Sequence, residues 1–151
     1  MVRKWDKVSS EFLIENKIFK LREDKVISPK KESEHPVWVI DTPNWVNIIP
    51  ITENNEVILV NQHRFGTEQL TLEIPGGMVD EGEDPIKAAT RELAEETGYT
   101  STQIIEIGRV EPNPALMSNY TYSYLALNTS QTAEQNLDGM EDIEIVKKHI
   151  D

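Results

Sequence analysis

Cysteine is absent from the 151 residues, which excludes disulfides and thiolate metal sites. Long apolar runs are missing too. The sequence nowhere sustains the roughly eighteen apolar residues of a membrane span, and the charged start MVRKWDKVSS leads into no apolar stretch. Neither a spanning helix nor a secretory leader is expected, and the reading is of a cytoplasmic protein with no membrane partner. Basic residues are outnumbered, 15 Lys and Arg against 27 Asp and Glu, for a formal charge of −12 and a pI near 4.7. That balance argues against broad attachment to nucleic acid or anionic membrane and leaves room only for a local basic pocket. Repeats and low-complexity tracts are also absent. What remains, 38% of it hydrophobic, suits one globular domain with a sizeable core.

The densest pattern is GGMVDEGEDPIKAATRELAEETGY, from Gly76 to Tyr99. A glycine turn runs there into a segment crowded with carboxylates. Asp84 is a good N-cap, Pro85 suits the first helical position because its missing N–H has no partner there, and Gly98 suits a left-handed stop. The spacing therefore predicts a helix over Pro85 to Thr97. At about 100° per residue, Ile86, Ala89, Thr90, Leu93 and Thr97 share one side, and Glu92, Glu95 and Glu96 share the next. Like charges at this spacing destabilise a helix by roughly 0.2–0.5 kcal/mol per pair unless something cationic lies against them. A hard divalent cation with oxygen ligands, Mg²⁺ above all, would serve. The plainer alternative is a solvated acidic face, since glutamate is a good helix former.

The glycine turn decides between them. Gly77, Glu83 and the run Arg91-Glu92-Leu93-Ala94-Glu95-Glu96-Thr97-Gly98-Tyr99 fall at the spacing of the Nudix box without a mismatch, and the chain resembles the Nudix hydrolases. The resemblance implies an α+β fold: an α/β/α sandwich with a mixed β-sheet, preceded by an antiparallel N-terminal β extension. It implies a loop–helix–loop that binds Mg²⁺, with Mn²⁺ a possible substitute, and cleaves a pyrophosphate joined to another moiety. Carried over by position, Glu92 and Glu96 would be metal ligands, Glu95 a ligand or a water-positioning base, and the Gly76 carbonyl a further ligand. Arg91 and Glu83 would orient them.

Residues 1–41 hold short β-type runs, Val8 to Ser10, Phe12 to Ile14, Ile18 to Arg22, Asp24 to Ile27 and Pro36 to Ile40, with SPKKESEHP as an exposed loop. In the ADP-ribose and nucleoside diphosphate sugar branch of the family, such a sheet packs on a second subunit, so the resemblance implies a homodimer. Residues 42–151 would be the hydrolase domain. There NIIPI and EVILV, joined by TENN, read as two strands buried on both faces. Trp38 and Trp45 would stack on a base, for about 1–3 kcal/mol per base, or simply pack. Arg64, in a segment resembling the family's QYR, would grip a phosphate through its planar fork or form a surface ion pair; His63 is read as structural. Glu73, among apolar neighbours in QLTLEIPGG, needs a partner or a contact to substrate or metal.

Beyond the box, TSTQIIEIGRV reads as a further strand pair, and EPNPALMSNYTYSYLAL as a loop followed by a strand. Pro114 stands where ADP-ribose hydrolases carry a proline that shapes the terminal-ribose pocket, with Glu111, Asn113, Met117 and Asn119 near enough to line it. In the tail, Glu141 and Asp142 match the E-D-I ending of a loop that supplies that branch with a base or a further metal ligand. Gly139 departs from the pattern, so the base stays open among Glu95, Glu141 and Asp138. Relatives usually continue into a closing helix where this sequence reaches Asp151, so either a minimal domain or a truncated form is expected. The expected activity is Mg²⁺-dependent hydrolysis of a nucleoside diphosphate sugar, ADP-ribose to AMP and ribose 5-phosphate being the leading case. Action on RNA 5′ ends or nucleoside triphosphates is the alternative, and a non-catalytic ADP-ribose-binding regulator a third.

Overall fold

A computed structural model describes residues 1–150. The chain divides into two units, Met1–Pro43 with Glu111–Tyr120, and Asn44–Val110 with the chain from Thr121 onward. Among the described residues no helix is long and apolar enough to cross a membrane.

The first unit is an antiparallel meander of β1 (Asp6–Glu15), β2 (Lys20–Ile27) and β3 (Glu34–Asp41) in that spatial order. The separate runs expected at Val8–Ser10 and Phe12–Ile14 are one strand, and those at Ile18–Arg22 and Asp24–Ile27 merge into β2. Charged residues do not interrupt these strands because β1 is exposed along its whole length. Asn16 closes the first turn, its side-chain oxygen accepting from Ile18 N at 2.8 Å and Phe19 N at 2.9 Å. Buried in the sheet, at 4% exposure, Asp24 accepts from the Ser10 hydroxyl at 2.5 Å and from Arg22 Nε at 3.2 Å. Segment 111–120 extends the edge of β3: Ile40 N donates to Leu116 O at 2.8 Å, Ser118 N donates to Ile40 O at 3.2 Å, and Ile40 and Met117 form a parallel bridge.

The second unit holds β4 (Trp45–Thr52), β5 (Glu56–Arg64), β6 (Gln69–Glu73), β7 (Gly76–Met78), α1 (Pro85–Thr97), β8 (Tyr99–Thr100), β9 (Gln103–Val110), β10 (Thr121–Gln131) and β11 (Ile143–His149). Strand order is β11-β5-β4-β10-β8, with β6 on β5, β7 on β4 and β9 on β10. Among the described residues of this sheet only β4 and β10 pair in parallel, so the sheet is mixed. The α+β class expected from the sequence is the one observed, with α1 the one α-helix among the described residues.

That single helix explains a correction. NIIPI and EVILV are not buried on both faces. Val46, Ile48, Ile58 and Val60 are buried, while the residues between them are half-buried, the alternation of a sheet covered on one side. Val46, Ile48 and Ile58 pack with Ala88, Ala89 and Leu93 of α1 and with Tyr124 and Ala126 of β10. The strand pair expected in TSTQIIEIGRV is also different, since β8 and β9 each pair with β10.

Candidate active site

Two glycines set the floor of the site. Strand β7 lies so close to β4 that a Cβ on Gly76 would stand 2.1 Å from Val46 O, and one on Gly77 would stand 2.5 Å from the Glu92 carboxyl carbon. Only glycine lets this backbone reach both the strand and the helix. Helix α1 starts and stops as its sequence predicts: Asp84 accepts from Ile86 N at 3.2 Å, and Gly98, at φ 71°, donates to Ala94 O at 2.8 Å. Its packed face is rotated from expectation. Ala88, Ala89, Leu93, Glu96 and Thr97 are buried, whereas Ile86 is 37% exposed, because the helix turns its Glu96 side toward Gly76.

Arg91 holds the acidic ridge in register. Its fork donates to Glu83 at 3.1 and 3.0 Å, to Glu92 at 2.8 Å and Glu95 at 3.1 Å, and to Met78 O at 3.0 Å. Planar, delocalised charge suits arginine to this many-sided contact. The hydrogen bond to Glu83 chiefly raises the Arg91 pKa, and the same bond holds Glu83 below the usual carboxylate range. Glu96 lies opposite, at 4% exposure, accepting from Gly76 N at 3.0 Å. Burial pushes its pKa up to about 8, the charges of Glu92 and Glu141 adding to the rise while Gly76 N–H and Arg64 oppose it. Glu92 is raised by burial as well, against the pull of Arg91.

A cleft of about 390 Å³ brings Glu92, Glu95, Glu96, Asp138 and Glu141 together with Arg64, Trp45 and Gly76. Beside it a second hollow of about 430 Å³ shares Trp45, Arg64 and Gly76 and adds Glu73 and Asn47. A larger cavity, about 530 Å³, is formed elsewhere by the first residues of the chain against Ser28 to Lys30 and has no carboxylate in its wall; the chemistry lies with the glutamates. Arg64 and Glu73, read separately from the sequence, are one ion pair, at 2.9 and 2.6 Å, with Thr71 also donating to Glu73. The ion-pair reading of Arg64 is the one present, and the same side chain lines the cleft. Trp38 is half exposed on β3 of the first unit. Glu111, Asn113, Pro114, Met117 and Asn119 belong to that unit too, with Asn119 3% exposed and neither of its amide atoms partnered. Gln62, Asn136 and Asp80 line the carboxylate cleft without having been singled out, since nothing in their spacing marks them.

The donor set is made of oxygen, which suits a hard divalent cation. Among the described residues no three acidic or imidazole groups already converge as a finished cage. Glu92 and Glu95 are held by Arg91, and the Glu141 carboxylate accepts from Asp138 N at 2.9 Å. Buried Glu96 nonetheless sits beside two further carboxylates with its charged form disfavoured, and a cation against it would reverse that. The residues fit the group.

The Nudix domain model matches residues 42–148. The chain belongs to the Nudix family. It is 30% identical over 139 residues to the methanol dehydrogenase activator of Bacillus methanolicus, covering 92% of this chain and 74% of that protein. It is 30% identical over 142 residues to the ADP-ribose pyrophosphatase of Bacillus subtilis, covering 93% and 76%. The solved structure of an ADP compounds hydrolase superposes with a TM-score of 0.84 over 97% of this chain and 79% of that one, at 21% identity. That likeness shows the shared Nudix fold. Family membership makes the chain a hydrolase of the kind that uses a divalent metal ion.

Proposed function

We propose that this Nudix protein is a pyrophosphohydrolase of nucleoside diphosphate sugars, with ADP-ribose as the leading substrate and Mg²⁺ as its metal. The observation that carries the reading is the convergence of Glu92, Glu95, Glu96 and Glu141 on one cleft beside Arg64. The similarity to an ADP-ribose pyrophosphatase along 93% of the chain supports the substrate class.

Glu92 and Glu96, with Glu95, Glu141 and the Gly76 carbonyl available, would hold the cation. When bound, such a cation neutralises phosphate charge and makes water a better nucleophile at neutral pH. Arg91 keeps Glu92 and Glu95 from splaying apart and pins them to Met78 and Glu83. Arg64 presents cationic charge to the pyrophosphate while Glu73 fixes its plane. Trp45, shared by both hollows, offers an aromatic wall to the base or sugar.

In the reaction, water adds to one phosphorus, the bridging P–O bond breaks, and the bridging oxygen leaves with the other phosphate. ADP-ribose so gives AMP and ribose 5-phosphate. Glu141 takes the proton from the water; its carboxylate accepts from a main-chain N–H of its own loop, whereas Glu95 is tied to Arg91. Residues 1–41 are proposed as the dimerisation element. Support comes from β1, which carries Val8, Phe12 and Ile14 at about half exposure, an apolar strand that a second copy would cover.

The test is product analysis with Mg²⁺ over ADP-ribose, GDP-mannose, UDP-glucose, nucleoside triphosphates and 5′-triphosphorylated RNA. Release of a nucleoside monophosphate and a sugar phosphate is expected. Cleavage confined to triphosphates or RNA ends would reassign the substrate, and binding of ADP-ribose without turnover would make the chain a regulator.

A further inference from the structure

The C-terminus of α1 leaves its last carbonyls without helical partners, and their contacts lead to a residue that the reaction as described above does not use. Leu93 O accepts from the Thr97 hydroxyl at 2.5 Å and Ala94 O from Gly98 N at 2.8 Å. Glu95 O and Glu96 O are met from a distant segment: Asn136 N donates to the first at 2.8 Å, and Gln135 Nε2 to the second at 2.6 Å. The same Gln135 nitrogen donates its other hydrogen to Ile143 O at 3.2 Å. Capping the helix requires only the first of these bonds. The second closes the neck of the loop 136–142, because Gln135 stands at its entrance and Ile143 at its exit.

Inside that neck the loop holds itself together. Glu141 N donates to Asp138 O at 2.9 Å, and Asp138 N donates to the Glu141 carboxylate at 2.9 Å. One half-buried amide therefore ties both ends of the loop bearing Glu141 to the residue bearing the Glu96 carboxylate. A closed neck limits the ways the loop can extend, and Asp138 and Glu141 both face the carboxylate cleft.

We propose that Gln135 is a positioning residue, which sets Glu141 over the carboxylate ridge by bridging the helix carbonyl of Glu96 and the loop-exit carbonyl of Ile143. This rests on the proposed function for the role of Glu141, and on geometry alone for the bridge. Lost bridging leaves the loop folded on itself but free to drift at the neck, so the effect falls on turnover more than on substrate binding.

The experiment is a double-mutant cycle on whichever pyrophosphate the parent cleaves, which keeps the substrate assignment separate from this inference. Gln135→Leu, which keeps the volume and removes both donors, is expected to lower kcat between about tenfold and a hundredfold, because small misplacements of a catalytic group cost that much. KM should change by less than about threefold. In a Glu141→Gln background the same substitution should cost less than about twofold, since nothing is left to position. Equal losses in both backgrounds would overturn the inference, as would a fully active Glu141→Gln enzyme. Amide exchange in the metal-free protein supplies a readout independent of turnover. Gln135→Leu should lose protection at the neck amide of Asn136 while Leu93 in α1 keeps its own, and Gln135→Lys, which restores donors, should recover both protection and kcat. Unchanged protection at Asn136 would also overturn it. Should Gln135→Leu fail to fold, Gln135→Glu, of the same shape but without N–H donors, carries the same two measurements.

Discussion

Glu96 is the residue where burial and function conflict most sharply. A carboxylate at 4% exposure with its pKa pushed up to about 8 destabilises the metal-free protein once it ionises, and a cation relieves that cost. Glu96→Gln keeps an oxygen for Gly76 N–H and removes the charge. The expected outcome is a loss of Mg²⁺-dependent hydrolysis on the order of a hundredfold or more. The thermal midpoint of the metal-free variant should equal or exceed the parent's. Hydrolysis of ADP-ribose at near-parental rate in saturating Mg²⁺ would remove Glu96 from the metal shell. The two glycines before the helix separate by what an added methyl group would meet. At Gly76 it would meet the backbone of β4, at 2.1 Å from Val46 O, and at Gly77 the movable end of Glu92, at 2.5 Å. Gly76→Ala should therefore lower stability by about 1–3 kcal/mol or more in urea titration. Gly77→Ala should melt close to the parent and lose activity through a displaced Glu92.

Among the elements, the three-stranded sheet carries a titration of its own. Burial pushes the Asp24 carboxyl up, but the Ser10 hydroxyl, Arg22 and Lys7 together outweigh it and hold it below the usual carboxylate range. A group whose pKa is lowered on folding contributes stability above its unfolded pKa, about 4, and loses that contribution as pH falls through its folded value. The parent should therefore lose stability below about pH 4 in part through Asp24. In Asp24→Asn the acid limb of the stability curve should flatten while stability at neutral pH falls, because Arg22 loses a charged partner. Denaturant midpoints from neutral pH down to pH 2 would show it, and an unaltered acid limb would contradict it. The rotated face of α1 belongs to this scale as well. Ala88 and Ala89 let the helix approach the sheet closely, which sets Glu96 beside Gly76 rather than in solvent.

At the scale of the whole molecule, two mass-action effects are expected. Mg²⁺ held by the native state alone should raise the thermal midpoint with concentration, worth about 2.7 kcal/mol at a hundredfold excess over Kd. Glu96→Gln should blunt that rise. The exposed apolar residues of β1 predict a homodimer, and sedimentation at micromolar concentration should find one. An active monomer at that concentration would dismiss residues 1–41 as a dimerisation element.

The local features of the Nudix helix could be read directly from the chain. Asp84, Pro85 and Gly98 determine where α1 begins and ends through backbone preferences that act within a few residues, and the spacing of Glu92, Glu95 and Glu96 follows from helical period alone. The family was legible in the spacing of the box, and the mixed sheet followed from that resemblance rather than from any local pattern. Tertiary structure decided what depends on distant neighbours. It joined Arg64 to Glu73 across a hairpin, and it turned α1 so that Ala88 was buried and Ile86 was not. It left β4 and β5 covered on one face, and it brought Gln135 to the end of a helix 39 positions earlier in the chain. Each of these is a long-range contact whose energy comes from shape, burial and hydrogen-bond satisfaction in three dimensions. No periodicity along the sequence records such a contact.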